Sequence, residues 1–241
     1  MNYYFLLEDE KSFTKILPKW LDFIEFGCTR VQNYNSLTAN SYVLESGKGI
    51  VQLETNAIFK TIDTIRENTK TVDKLVIIVD AEDIGAAERK ERIYKAIYEE
   101  YSPEIESIPC SIHVFVCNRC VETWLLGCMG LYPFNRKLVS DDFGPYFDFY
   151  DIEHYDPEKM LKPSSHDKSI ATYHFQYLHT LTLDIQKQNK LKGFAYTKSK
   201  PNCALRQDYF EAMLRRIGET DDISSFKEFY DFIIAEKEHN K

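Results

Sequence analysis

The sequence predicts an α/β protein: a mostly parallel sheet flanked by helices, followed by a helical C-terminal lobe. Three observations predict it. Two runs, Lys74–Asp80 (KLVIIVD) and Ser111–Cys117 (SIHVFVC), are β-branched and continuously apolar, as strands buried on both faces are. Helix-period segments alternate with the strand-like ones through the first half of the chain, the order of a parallel sheet with crossover helices. Beyond about residue 165 only helical stripes remain.

The elements follow in order. Tyr3–Leu7 is a short apolar run ending in acids, suited to a buried strand. Ser12 to Phe26 carries Phe13, Ile16, Leu17, Trp20, Leu21 and Ile24 at a period near 3.6, an amphipathic helix. Pro18 inside it should kink it or split off a first turn. Between residues 27 and 50 the clearest features are a strand-like Tyr42–Leu44 and the turn material Ser46-Gly-Lys-Gly49. Gln52 to Asn68 reads as a second helix with Ile58, Ile62 and Ile65 on one face. After KLVIIVD comes a polar helix from about Ala86 to Glu100. After SIHVFVC comes a helix from about Val121 to Met129.

Residues 133 to 168 hold four of the eight prolines and read as a connector. Its aromatic stretch Pro145–Tyr155 suits packing between core and lobe better than an exposed docking surface. Helical stripes follow at Ala171, His174, Phe175, Leu178, Leu181 and Ile185, at Phe210, Met213, Leu214 and Ile217, and at Phe226, Phe229, Tyr230 and Ile233. Ser225 and Glu228 have the spacing of a capping box. The expected division is a core over residues 1–135, with connector and helical lobe over 136–241 packed on it.

Composition bounds the function. Of 241 residues, 44 % are hydrophobic and 28 % charged, which excludes a disordered or fibrous chain. The net charge of -8 excludes a strongly basic nucleic-acid coat. A local basic groove is still allowed, because Lys187 to Lys200 holds five lysines and no acid. No apolar stretch approaches the ~20 residues of a membrane span. No basic region precedes Tyr3–Leu7, so the start does not read as a signal peptide. A soluble, cytoplasmic protein is expected.

Sites in parallel sheets form beyond the carboxyl ends of the strands, and acids collect there. Glu8 follows the first strand, Asp80, Glu82 and Asp83 close KLVIIVD, and Glu122 lies just after SIHVFVC. If the strand persists, Asp80 and Glu82 share a face. Clustered carboxylates raise each other's pKa or need a cation. An oxygen-only set favours Mg²⁺ or Mn²⁺ over zinc. Strand-end acids also occur simply because loops are wet and acids cap helices.

Other signals are weaker. Cys117-Asn-Arg-Cys120 lacks a second, similarly spaced ligand pair for zinc, and buried structural cysteine is the commoner fate. The histidines form no metal set. Glu45-Ser-Gly-Lys-Gly49 lacks the spacing and hydroxyl of a phosphate-binding P-loop, so ATP hydrolysis would have to come from a partner.

An apolar strand ending in Glu, a helix, and a later apolar strand ending in Asp-x-Asp is the pattern of the TOPRIM domain. FLLEDE (Phe5–Glu10) and VIIVDAED (Val76–Asp83) resemble it. Asn118–Gly127, Lys198–Ile217 and Ser224–Phe232 resemble a TOPRIM-like family of bacterial proteins related to RloB-like proteins and OLD-family nucleases, commonly paired with an ABC/OLD-type ATPase in phage defence. The resemblance implies a metal-dependent nuclease with Glu8 as general acid/base and metal ligand. Asp80 and Glu82 would hold Mg²⁺ or Mn²⁺, Glu122 would be a further acid, and Arg119, Lys198 and Lys200 would contact phosphates. It implies a nucleic-acid substrate, DNA or RNA, and a nearby-encoded ATPase partner, and leaves homo-oligomerisation open. The family's Glu-Gly stands here as Glu8-Asp9 and its Asp-x-Asp as Asp80-Ala81-Glu82. Both departures favour the alternative of a catalytically degenerate scaffold binding its ATPase. A third reading is an unrelated α/β protein with incidental strand-end acids.

Overall fold

The computed structural model describes residues 1–68, 71–128 and 135–240. Five parallel strands form one sheet in the order β2-β3-β1-β4-β5: β1 Asn2–Leu7, β2 Thr29–Arg30, β3 Ser41–Ser46, β4 Lys74–Asp80 and β5 Ser111–Cys117. The strands ending at Leu7, Asp80 and Cys117 are thus parallel neighbours. In register, Leu7 lies beside Ile78 of β4 and Ser46 of β3.

Helices alternate with the strands: α1 Phe13–Ile24, a single turn α2 Ile50–Gln52, α3 Ile58–Glu67, α4 Ala86–Tyr101 and α5 Val121–Leu125. Helix α1 runs unbroken through Pro18, which neither splits it nor displaces its apolar face; Phe13, Ile16, Leu17, Trp20, Leu21 and Ile24 are all buried. At ~1.5–3 kcal/mol for each large apolar side chain buried, that face outweighs the one backbone bond proline forfeits. The helix expected from Gln52 instead contains a π-helical turn, Leu53–Ala57, between α2 and α3. A 3₁₀ turn, Leu126–Cys128, extends α5; the expected end at Met129 lies outside the described residues.

The period of two along β1 divides the core. Tyr3, Phe5 and Leu7 face α1 and the C-terminal helices, whereas Tyr4 and Leu6 face α3 and α4. The first face is thick because α6 Gly144–Phe149, α7 Ile170–Gln188, α8 Gln207–Glu219 and α9 Ser224–His239 close over it. Trp20 of α1 joins the layers: its ring packs on Phe13, Phe210 and Phe226, and its indole N–H donates to the Ala204 carbonyl at 3.1 Å. The connector's aromatics pack inward too, with Phe143 edge-on to Tyr177 and Tyr146 on Tyr173. The α7 stripe is turned slightly from the expected one; Tyr173 and Tyr177 are buried, while Ala171 and Phe175 lie at its margin.

The capping box at Ser225 and Glu228 does not form. Glu228 pairs with Lys90 at 2.6 Å, and Glu158 of the connector accepts from the Ser225 amide at 3.0 Å. The Ser225 hydroxyl donates to the same Glu158 carboxylate and accepts from the Asn118 amide at 3.1 Å and the Trp124 indole at 2.7 Å. No helix of the described residues is long and apolar enough to cross a membrane.

Candidate functional site

The chain leaves β1 toward β3 on one side and returns through β4 on the other, so the strand order reverses between β1 and β4. Ligand crevices of open α/β sheets form outside the carboxyl ends at such a point. Glu8 and Asp80 stand there. The backbone of Glu8 is held from both sides: its N–H donates to the Ile78 carbonyl at 2.9 Å, and its carbonyl accepts from Gly49 at 3.0 Å. Its carboxylate accepts from the Asp80 amide at 2.8 Å, bridging the two strand ends. Asp80 Oδ1 in turn accepts from the Val121 amide at 3.0 Å, at the start of α5.

Glu122, on the first turn of α5, is fully buried. Its Oε1 accepts from the Tyr196 hydroxyl at 3.0 Å and lies 3.6 Å from Lys198 Nζ; its Oε2 is buried with no hydrogen-bond partner. Lys198 reaches in from the turn 197–200, which Lys15 pins by donating to the Ser199 carbonyl at 2.7 Å. Lys200 is exposed on the same turn.

Burial pushes the Glu8 carboxyl up to about 7, against the Asp80 amide bond that lowers it; Glu82 raises it further, and Arg89 and Lys198 lower it. Burial also holds Asp80 well above the usual carboxylate range, reinforced by the charges of Glu8 and Glu122 and opposed by Lys198. Asp80 keeps a partly open surface, and about half of the Lys198 side chain is in solvent, so water screens part of this interaction.

Glu82 goes elsewhere. The strand stops at Asp80, and Glu82 takes the left-handed conformation (φ 52°), so the two acids do not share a face. Its side chain lies 3.9 Å from Arg89, a buried guanidinium that also pairs with Glu54 at 2.6 Å. Arg119, likewise left-handed (φ 77°), faces it: the Glu82 N–H donates to the Arg119 carbonyl at 2.8 Å, and Arg119 Nη1 donates to the Glu82 carbonyl at 3.3 Å. Two adjacent non-glycine residues at positive φ store strain at these strand ends. Asp9 adds its charge to the field at Asp80 and Lys198, but its carboxylate is bonded elsewhere. Its carboxylate takes the amides of Lys11, Ser12 and Phe13 and the Ser12 hydroxyl, capping α1. Burial would raise its pKa, but these bonds outweigh that and hold it below the usual range.

No three carboxylates among Glu8, Asp80, Glu82 and Glu122 bring one oxygen each within 4.8 Å of one another. Among the described residues the group that does is Asp151, Glu153 and His154 at the surface, and Arg136 already fills it, at 2.9, 2.7 and 3.2 Å. The two cysteines of the C-x-x-C are buried, with burial raising both thiols well above their ordinary value. Inert thiols of this kind suit packing rather than redox work.

Sequence reasoning missed Arg89, Tyr196 and Glu54, which contact the acids only through tertiary structure. Comparison with protein-family models, curated proteins and solved structures returns no match.

Proposed function

We propose that the acids at the ends of β1, β4 and β5 form the centre of a metal-dependent nuclease of TOPRIM type, acting on DNA or RNA as the effector of a defence pair with an ABC/OLD-type ATPase. The observation that carries the reading is the Glu8 carboxylate held against the Asp80 amide at the strand-order reversal, with the buried, unpartnered Glu122 Oε2 in the same cluster. The nuclease class, nucleic-acid substrate and ATPase partner come from the family resemblance of the sequence.

The acids suit Mg²⁺ or Mn²⁺: they offer carboxylate oxygens, one of them with no partner of its own, and the Cys117 thiol bonded to Asp80 is held protonated by burial. Asp80 and Glu122 are the residues to hold the ion, with Glu8 at its edge. Such an ion would neutralise charge on a phosphodiester and polarise an attacking water. Glu8, pushed up to about 7 by burial, is poised to take or give a proton near neutral pH. Glu82 is assigned to the Arg89 pair at the margin of the cluster, and Asp9 is assigned to folding. Lys198, Arg119 and exposed Lys200 supply the positive charge for phosphate.

The scaffold alternative is favoured by one observation. Lys198 already places an ammonium 3.6 Å from Glu122, so the chain supplies a cation of its own. Cleavage of labelled DNA and RNA by the wild type with Mg²⁺, and by Glu8→Gln, separates the two readings. The nuclease reading expects cleavage lost in the variant; the scaffold reading expects none in either.

A further inference from the structure

A second feature lies on the opposite side of β1, in the layer of α3. A cavity of about 450 Å³ opens between the end of β3 and the helical segment that follows it. That volume falls in the range of small-molecule sites, about 300–1,000 Å³. Its floor is polar and buried: Tyr4, Tyr34 and Thr61 are 3 %, 6 % and 5 % exposed. Its rim carries Lys48, Lys60, Glu45, Gln52 and Asn56. Among the described residues neither lysine makes a salt bridge, so two ammonium groups are available to a ligand.

The walls are built with unusual backbone. Gly47 presses against the helix start so closely that a Cβ there would come within 2.7 Å of Leu53 Cβ. Asn56 sits in the π-helical turn, a rare element concentrated at functional sites. Both walls lead to the acid cluster. Gly47 N–H donates to the Leu7 carbonyl at 2.7 Å, Gly49 holds the Glu8 carbonyl, and Glu54 of the π turn pairs with Arg89.

We propose that this cavity is a nucleotide-binding site, with phosphate on Lys48 and Lys60 and the nucleoside against the buried floor. The chemistry narrows the ligand. Two ammonium groups lining one cavity call for an anion. The amides of Asn56 and Gln52 each present a donor beside an acceptor, as the edge of a nucleobase does. Glu45, whose carboxylate takes the Tyr4 hydroxyl, has acceptor capacity left for sugar hydroxyls. A nucleoside monophosphate satisfies all three. It arrives either free or as one residue of a bound strand.

The proposal does not depend on catalysis at Glu8. Calorimetry in EDTA with AMP, GMP, CMP and UMP, with inorganic phosphate and with a short single-stranded oligonucleotide, tests it on the full chain. At least one monophosphate or the oligonucleotide should bind at sub-millimolar concentration. Lys48→Ala with Lys60→Ala, both exposed, should weaken binding at least tenfold, whereas Glu228→Ala, exposed on α9 and far from the lining, should bind as the wild type does. Oligonucleotide binding without mononucleotide binding assigns the pocket to a residue of a strand. Inorganic phosphate binding as tightly as any nucleotide, an unchanged affinity in the double variant, or no binding by any of the probes overturns the proposal.

Discussion

The carboxylate of Glu8 accepts a hydrogen bond from the backbone amide of Asp80 at 2.8 Å, joining the ends of two adjacent parallel strands. The contact places an ionisable group where burial resists its charge and the amide supports it.

The first concerns pH. Glu8 titrates near 7 in the folded chain against an ordinary 4.5, and Asp80 is raised with it. Between those values the native chain holds a proton that the unfolded chain has released, so this contribution to stability is greatest in acid and is lost as pH rises from about 4.5 to about 7. In chelator, the melting temperature of the wild type relative to Glu8→Gln should therefore fall across that interval. Parallel curves for the two proteins would show that Glu8 is not perturbed.

A second consequence concerns metal. Mg²⁺ or Mn²⁺ should raise the wild-type melting temperature by mass action, and much less for Asp80→Ala. Lys198→Met removes the competing ammonium and should increase the response. Equal responses in all three proteins would place the ion elsewhere.

Asp9 should matter to folding alone. Asp9→Ala removes the cap of α1 and should cost about 1–2 kcal/mol in denaturant unfolding, with the metal-induced shift unchanged. Loss of the metal response at unchanged stability would return Asp9 to the site.

Glu158 should behave as a remote cap. It takes the Ser225 amide and bonds Ser224 Oγ at 3.0 Å, tying the connector to α9. Glu158→Ala leaves those part-buried donors without their carboxylate and should cost about 1 kcal/mol. Glu228→Ala, which the capping-box spacing singled out, should cost far less.

What was legible in the sequence follows physical locality. Strands β1, β4 and β5 are continuous apolar runs, and a parallel sheet buries such runs on both faces. The two residues of β2, Thr29 and Arg30, are exposed and carry no such signature. Glu8, Asp80 and Glu122 were legible because strand ends at one edge of a parallel sheet must meet. Glu82 was placed by a period of two that ends where the backbone turns left-handed. Asp9 was read through its charge, although an acid three residues before Ser12 also has the spacing of a helix cap. The Arg89–Glu54, Tyr196–Glu122 and Glu158–Ser225 contacts each join residues more than 30 positions apart, and nothing local to their segments encodes them.

The most direct measurement is cleavage of end-labelled DNA and RNA by the purified wild type and by Glu8→Gln and Asp80→Ala, each with Mg²⁺ and with an ABC/OLD-type ATPase partner. The account predicts Mg²⁺-dependent cleavage by the wild type, reduced about 10²–10⁴-fold in Glu8→Gln and abolished in Asp80→Ala, with all three folded. Full activity in both variants, or no cleavage by the wild type, would contradict it.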